Sequence, residues 1–146
     1  MLKGIPKQIS PALLKALAEM GHGDILVIAD DFYPANSMGK NGIVIDADGI
    51  SGPDMLDAIL QLMPLDSKYI EHPVMIMDME EHLKASSDRP KIWDEFIAVV
   101  KKHEDAKCVG FVERFEFYEK AKTAYVTIST GERQPYGCVM LQKGVL

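Results

Sequence analysis

This sequence predicts an α/β fold, layered around a mostly parallel sheet. Two observations carry the prediction. Short apolar runs suited to strands alternate with segments of helical period through most of the chain. The run Ile25-Leu26-Val27-Ile28-Ala29 is apolar without interruption, as expected of a strand buried on both faces. A third observation concerns the end of the chain. Its last two strand candidates follow one another with no helix between them, which predicts an antiparallel edge or hairpin there.

The elements follow in order. Ser10 is placed to cap a helix, and Pro11 suits the first helical position because its missing N–H is not needed there. Leu13, Leu14, Leu17 and Met20 recur at helical spacing, and Gly21 supplies the stop. The buried strand 25–29 follows and ends at Asp30-Asp31. Ile43-Val44-Ile45 is a second strand candidate. Residues 55–63 (MLDAILQLM) read as a helix apolar almost all round, which predicts deep burial or a subunit contact. Residues 73–79 (PVMIMDM) read as a strand. Over 91–103, Ile92, Trp93, Phe96, Val99, Val100 and His103 share one face opposite Lys91, Asp94, Glu95, Lys101 and Lys102, the pattern of an amphipathic helix. A strand at 108–112, a short aromatic helix at 115–121, a β-branched strand at 125–129, a turn at 130–133 and a last short strand at 139–141 complete the chain.

Composition narrows the function classes. The 146 residues are 47% hydrophobic and 26% charged, ordinary values that fit one domain, 1–146, with a proper core. Asp+Glu number 22 against Lys+Arg 16, a formal net charge of −6 with no basic cluster, so neither nucleic acid nor an anionic membrane is the expected partner. No apolar run approaches the ~20 residues that span a bilayer. The opening Met1-Leu2-Lys3-Gly4-Ile5-Pro6 has neither the long apolar core nor the cleavage site of a signal peptide, and the expected location is the cytoplasm. Cys108 and Cys138 are too few for a disulfide framework. The sequence lacks G-x-G-x-x-G, a Walker loop, H-E-x-x-H, G-x-S-x-G and any closely spaced Cys or His pair, so no cofactor and no metal is expected.

The residues best suited to chemistry are His22 and Asp30. His22 stands between two glycines after the first helix, and imidazole can both give and take a proton near neutrality. Asp30 ends the buried strand, and ligands of open α/β sheets bind beyond the carboxyl ends of strands. A His and an acid that met there could polarise a small hydroxylated substrate. The plain alternative is a His that caps helix carbonyls and an Asp that makes a turn. Asp31 reads as solvated, because neighbours on extended backbone point opposite ways. Met75, Met77 and Met79 alternate as one packed strand face rather than as metal ligands. His103 reads as a helix-end or half-buried His, His72 and His82 as solvated, and Cys108 as a buried thiol. Arg114 opens the aromatic helix, where its planar fork could hold vicinal hydroxyls or a carboxylate, or simply face solvent. Tyr136, in a Pro-Tyr-Gly turn, could stack on a sugar or anchor the turn.

Two blocks of sequence resemble a known family. The stretch LKGIPKQISPALLKALAEMGHGDILVIADDFYPANSMG and the later ERFEFYEKAKTAYVTISTGERQPYGCVMLQKGV are similar to the two signature regions of the fucose mutarotase and ribose pyranase family. They lie in the same order at similar separation, so the resemblance covers nearly the whole chain. MGHGD, the SMG loop, RFxFYExA and TGExxxYG are its specific parts, and the RFxFYE stretch and SMG loop are closer to the fucose branch. The resemblance implies a three-layer αβα sandwich. It implies ring-like homo-oligomers, often decamers of two pentamers, with sites at subunit boundaries. It implies cofactor-independent interconversion of the anomers, or the pyranose and furanose forms, of a monosaccharide.

Carried over by position, the family's catalytic His falls on His22 and its substrate-binding acid on Asp30. Its Arg falls on Arg114, and its sugar-contacting C-terminal stretch on Tyr136, Gly137 and Cys138. The chain departs from the family at Cys138, where Asn is usual, and at Asn36, where the fucose branch more often has His. A thiol donates and accepts hydrogen bonds far more weakly than an amide. The expected function is therefore anomer exchange on a sugar, L-fucose first, by general acid–base catalysis. His22 is expected to protonate the ring oxygen, and Asp30 to orient His22 or accept a sugar hydroxyl. Arg114 and Tyr136 are expected to hold the ring. A D-ribose-type pyranase is the nearest alternative. A sugar-binding protein with little catalysis, to which Cys138 points, and an oligomeric scaffold are the others.

Overall fold

The computed structural model describes residues 2–146. Its elements in chain order are α1 (Pro11–Glu19), β1 (Ile25–Ala29), α2 (Ala35–Met38), β2 (Ile43–Ala47), α3 (Gly52–Leu60), β3 (Val74–Asp78), α4 (Glu81–Lys84), α5 (Lys91–Val100), a 3-10 turn (Ala106–Cys108), β4 (Val109–Glu113), α6 (Arg114–Ala121), β5 (Val126–Thr130) and β6 (Val139–Gln142). Local chemistry explains most of the starts. The Ser10 hydroxyl accepts from the Leu13 amide at 3.1 Å, with Pro11 in the first turn of α1. Ser51 and Pro53 repeat the device for α3, where Ser51 accepts from the Asp54 amide at 3.2 Å. That signal moves the helix expected over 55–63 to 52–60. Glu113 caps α6 by accepting from the Phe115 and Glu116 amides. The four-residue helices α2 and α4 are too short to show a helical period, and the sequence pattern did not mark them.

The strands form one six-stranded sheet in the order β2-β5-β1-β6-β3-β4. β1 pairs parallel with β5, β5 with β2, and β3 with β4. β6 runs antiparallel to both β1 and β3. The antiparallel strand expected at the end of the chain is therefore present, but it is central and makes no hairpin with β5. The reason is that both edges of β5 are taken, one by β1 and the other by β2. The chain can only leave β5, cross the carboxyl end of β1, and descend into the gap between β1 and β3.

Alternation along the strands divides the core in two. On one face Leu26, Ile28, Ile76, Ile128 and Leu141 pack with Leu13 and Leu17 of α1, Leu56 and Ile59 of α3, and Ile92 and Phe96 of α5. On the other face Val27, Ala29, Met77 and Met140 pack with Ala35 of α2 and Phe117 and Ala121 of α6. This is the three-layer αβα sandwich. The apolar circumference of α3 is explained within the chain, because Met55, Leu56, Ala58 and Ile59 are buried between the sheet and α5. It therefore gives no argument for a subunit contact.

His103 lies beyond the last turn of α5, and its Nε2 is 3.0 Å from Asp57 Oδ1 of α3. The expected helix through residue 103 is thus three residues shorter, ending at Val100.

Candidate functional site

The crossing from β5 to β6 builds the pocket. Asp30, just past β1, is 5% exposed. Its Oδ1 accepts from the Phe32 amide at 3.1 Å and its Oδ2 from the Gly137 amide at 3.0 Å. Its own amide donates to Cys138 Sγ at 3.4 Å. Gly137 is required for this approach, since a Cβ there would stand 2.8 Å from the Gln134 carbonyl oxygen and 3.3 Å from Asp30 Cβ. The preceding Tyr136 has φ 60°, a left-handed conformation that a non-glycine residue holds only under constraint. Its carbonyl accepts from Trp93 Nε1 at 3.2 Å, and its hydroxyl donates to Glu80 Oε2 at 2.8 Å.

Arg114 arrives from the first turn of α6. Its Nη1 donates to Glu80 Oε1 at 2.6 Å and its Nε to the Tyr118 hydroxyl at 3.2 Å. Asp30, Arg114, Tyr136 and Cys138 line a cavity of about 170 Å³ together with Tyr33, Tyr118, Phe32 and Met77. That is small beside the ~300–1,000 Å³ of drug-sized pockets and suits one small ring. Larger grooves of about 450 and 500 Å³ lie elsewhere, but apolar side chains such as Leu2, Ile5, Leu17 and Leu62 dominate their walls. Converging polar groups, rather than volume, single out the smaller pocket.

The electrostatics follow from burial and pairing. Burial pushes the Asp30 carboxyl above the usual carboxylate range, against the hydrogen bonds that favour its charge. Arg114, first, and then hydrogen bonds from the Glu80 backbone and Tyr136 hold Glu80 down at about 2, so it stays charged. Burial, with Asp30 adding to it, raises the Cys138 thiol well above its ordinary value and keeps it neutral. Such a thiol is no nucleophile. Among the described residues, the Tyr33 hydroxyl is the buried side-chain polar atom without a hydrogen-bond partner.

His22 is elsewhere. It precedes β1 and Asp30 follows it, so the two stand roughly 20 Å apart at ~3.3 Å per residue of strand. The reading in which Asp30 orients His22 is therefore excluded within one chain, because an extended strand separates them. His22 Nε2 is instead 3.0 Å from Asp66 Oδ1, and Asp66 Oδ2 accepts from Gln142 Nε2 at 3.0 Å. The Tyr69 ring lies 4.9 Å from the imidazole. Asp66 is 2% exposed, whereas the His22 side chain is 43% exposed. Of the residues read from sequence, Asp30, Arg114, Tyr136 and Cys138 come together with the Gly137 amide, and His22 does not join them. Sequence reasoning missed Glu80, Tyr118, Tyr33 and Asp66. Glu80 and Asp66 follow a strand and a Pro-Leu turn with no spacing that marks them. Tyr118 could have been found at i+4 from Arg114 on the same helix.

A family model described as the RbsD / FucU transport protein family matches residues 3–146. The fucose mutarotase of Homo sapiens is 42% identical over 146 residues, covering 99% of this chain and 94% of that protein. The crystal structure of the fucose mutarotase in complex with L-fucose from Streptococcus pneumoniae is similar at TM-score 0.90 and 42% identity, with 99% of each chain covered. Bacillus subtilis RbsD complexed with D-ribose is less similar, at TM-score 0.74 and 26% identity over 100% of this chain and 99% of that one.

Proposed function

The chain belongs to the RbsD / FucU family, and from that membership and the polar groups of its pocket we propose that it exchanges the anomers of L-fucose. It is an isomerase. The observation that carries the residue roles is the convergence of Asp30, Arg114 and Tyr136 on a cavity the size of one sugar ring.

Anomer exchange requires a proton on the ring oxygen and the loss of one from the anomeric hydroxyl. The ring opens to an aldehyde, the carbonyl carbon rotates, and closure on its other face reverses both transfers. Acid–base groups and positioning are all that this chemistry uses. The uncatalysed reaction is already appreciable, so general acid–base help of ~10²–10⁴-fold is ample.

His22 gives the proton to the ring oxygen. Asp30, its carboxylate aimed by the Phe32 and Gly137 amides, accepts a sugar hydroxyl. Arg114 donates to ring hydroxyls, and the Tyr136 oxygen accepts, since its own hydrogen is given to Glu80. The apolar Phe32 and Met77 face the less polar side of the ring. Because His22 stands at the other end of β1, it reaches the pocket of a second copy, and the site is completed between subunits. The working form is then a ring-like homo-oligomer, a decamer of two pentamers, in the cytoplasm. Exposed Leu2, Tyr69, Val145 and Leu146 give such contacts apolar area.

Saturation-transfer NMR on L-fucose, with and without the protein, tests the reading. Acceleration by the wild type that His22→Ala reduces at least ~100-fold supports both the reaction and its acid. Faster exchange of D-ribose than of L-fucose would replace the mutarotase with a pyranase. Tight fucose binding without acceleration would leave a binding protein.

A further inference from the structure

Beneath the pocket, Glu80 connects three segments that are distant in sequence. It follows β3 and is buried, yet it does not line the cavity. One carboxylate oxygen takes the Arg114 Nη1 donor at 2.6 Å and the other takes the Tyr136 hydroxyl at 2.8 Å. Arg114 belongs to α6 and Tyr136 to the β5–β6 crossing. Among the described residues, Glu80 is the acid that pairs with Arg114.

The consequences for both partners are geometric. A guanidinium carries its five N–H donors in one plane. With Nη1 on Glu80 and Nε on Tyr118, that plane is held from two sides, and the second Nη1 hydrogen and both Nη2 hydrogens are left for a ligand. The phenol of Tyr136 spends its only hydrogen on Glu80, so toward a ligand it can only accept. The same tyrosine is held at its carbonyl by Trp93 and has the strained φ of 60°. Its ring direction therefore depends on being tied at both ends. The bridge also neutralises Arg114, which otherwise shares a pocket with the buried carboxylate of Asp30.

We propose that Glu80 is a positioning residue for sugar binding, fixing the donor plane of Arg114 and the acceptor face of Tyr136 before the ligand arrives. The inference rests on the sugar reading above and adds to it a residue that never touches the ring. Preorganisation of this kind acts on binding, because the ordering of two side chains no longer has to accompany capture of the ligand.

The test measures L-fucose exchange against concentration for the wild type, Glu80→Gln, Glu80→Asp, Arg114→Lys and the Glu80→Gln/Arg114→Lys pair, with the thermal midpoint of each. Glu80→Gln is expected to raise KM ~10-fold and to change kcat by less than ~3-fold. Glu80→Asp, which keeps the charge but reaches only one partner, recovers part of the loss. The double variant is expected to be no worse than its worse parent, since both changes break one bridge. In the protein without sugar, the Arg114 Nε–H resonance is expected to be sharp in the wild type and broadened in Glu80→Gln, as the guanidinium plane is freed.

An unchanged KM in folded Glu80→Gln, or fully additive losses in the double variant, overturns the proposal and reduces Glu80 to a structural ion pair. If Glu80→Gln does not fold, the KM of Glu80→Asp and the additivity of its pair with Arg114→Lys decide the matter in the same way. A wild type that accelerates no sugar overturns the parent reading, and this role with it, before any variant is compared.

Discussion

Tyr33 shows how one side chain divides its demands between packing and polarity. Its ring packs edge-on against Phe117 at 6.3 Å and beside Tyr118 at 5.6 Å, while its buried hydroxyl finds no partner. Burial raises the phenol far above its ordinary range, so it stays neutral. An unpaired buried hydroxyl costs about 1–3 kcal/mol. Tyr33→Phe is therefore expected to leave the unfolding free energy unchanged or raise it by ~1 kcal/mol in urea denaturation without sugar. A loss of that size would mean the hydroxyl is satisfied after all. Asp30 is the opposite case, a buried acid whose two oxygens and amide all have partners. Cys138 supplies one of them through sulfur. What the thiol cannot supply is an amide's strong donor toward a sugar.

Among the elements, β6 decides the site. Its place between β1 and β3 forces the preceding crossing over the carboxyl end of β1, and that crossing carries Tyr136, Gly137 and Cys138 to Asp30. The tight point next to Asp30 is Gly137, where a Cβ would stand 2.9 Å from Glu132 Cγ as well as 2.8 Å from the Gln134 oxygen. Gly137→Ala is expected to destabilise the protein by about 1–3 kcal/mol, the usual range for overpacking. Because the shift also draws the amide off Asp30, fucose affinity should fall with it. Chemical denaturation and NMR titration read the two effects. Wild-type affinity in that variant would show that the crossing tolerates displacement and that the Gly137 amide does not aim Asp30.

For the whole molecule, the decisive relation is the separation of His22 from Asp30 along β1. With the roles proposed above, the acid and the binding pocket lie at opposite ends of the sheet, and the proposal therefore requires that each pocket take its acid from a neighbour. His22→Ala and Asp30→Asn should each be nearly inactive on L-fucose. Mixed after dissociation and reassembly, they should recover a fraction of wild-type exchange, because some pockets then draw His22 from one variant and Asp30 from the other. The recovery is expected to be at least ~10-fold over either variant alone, given the 10²–10⁴-fold worth of a general acid. No recovery in mixed oligomers verified by native mass spectrometry would place the acid within the chain, on some residue other than His22.

Local chemistry was legible in the residues themselves. Ser10 with Pro11 announced α1, the unbroken run 25–29 announced a strand covered on both faces, and the 91–103 pattern announced α5, because capping and periodicity are properties of neighbours in sequence. The resemblance to the family's signature blocks likewise put His22, Asp30, Arg114 and Tyr136 forward as candidates. Their assembly was not legible. That β6 enters the sheet centre follows from which strand edges remain unpaired. That Asp66, rather than Asp30, holds His22, and that Glu80 bridges Arg114 and Tyr136, follows from contacts between residues 44, 34 and 56 positions apart. Periodicity carries no information over such distances; only the packed sheet, with each edge used once and each buried charge requiring a partner, decides who meets whom.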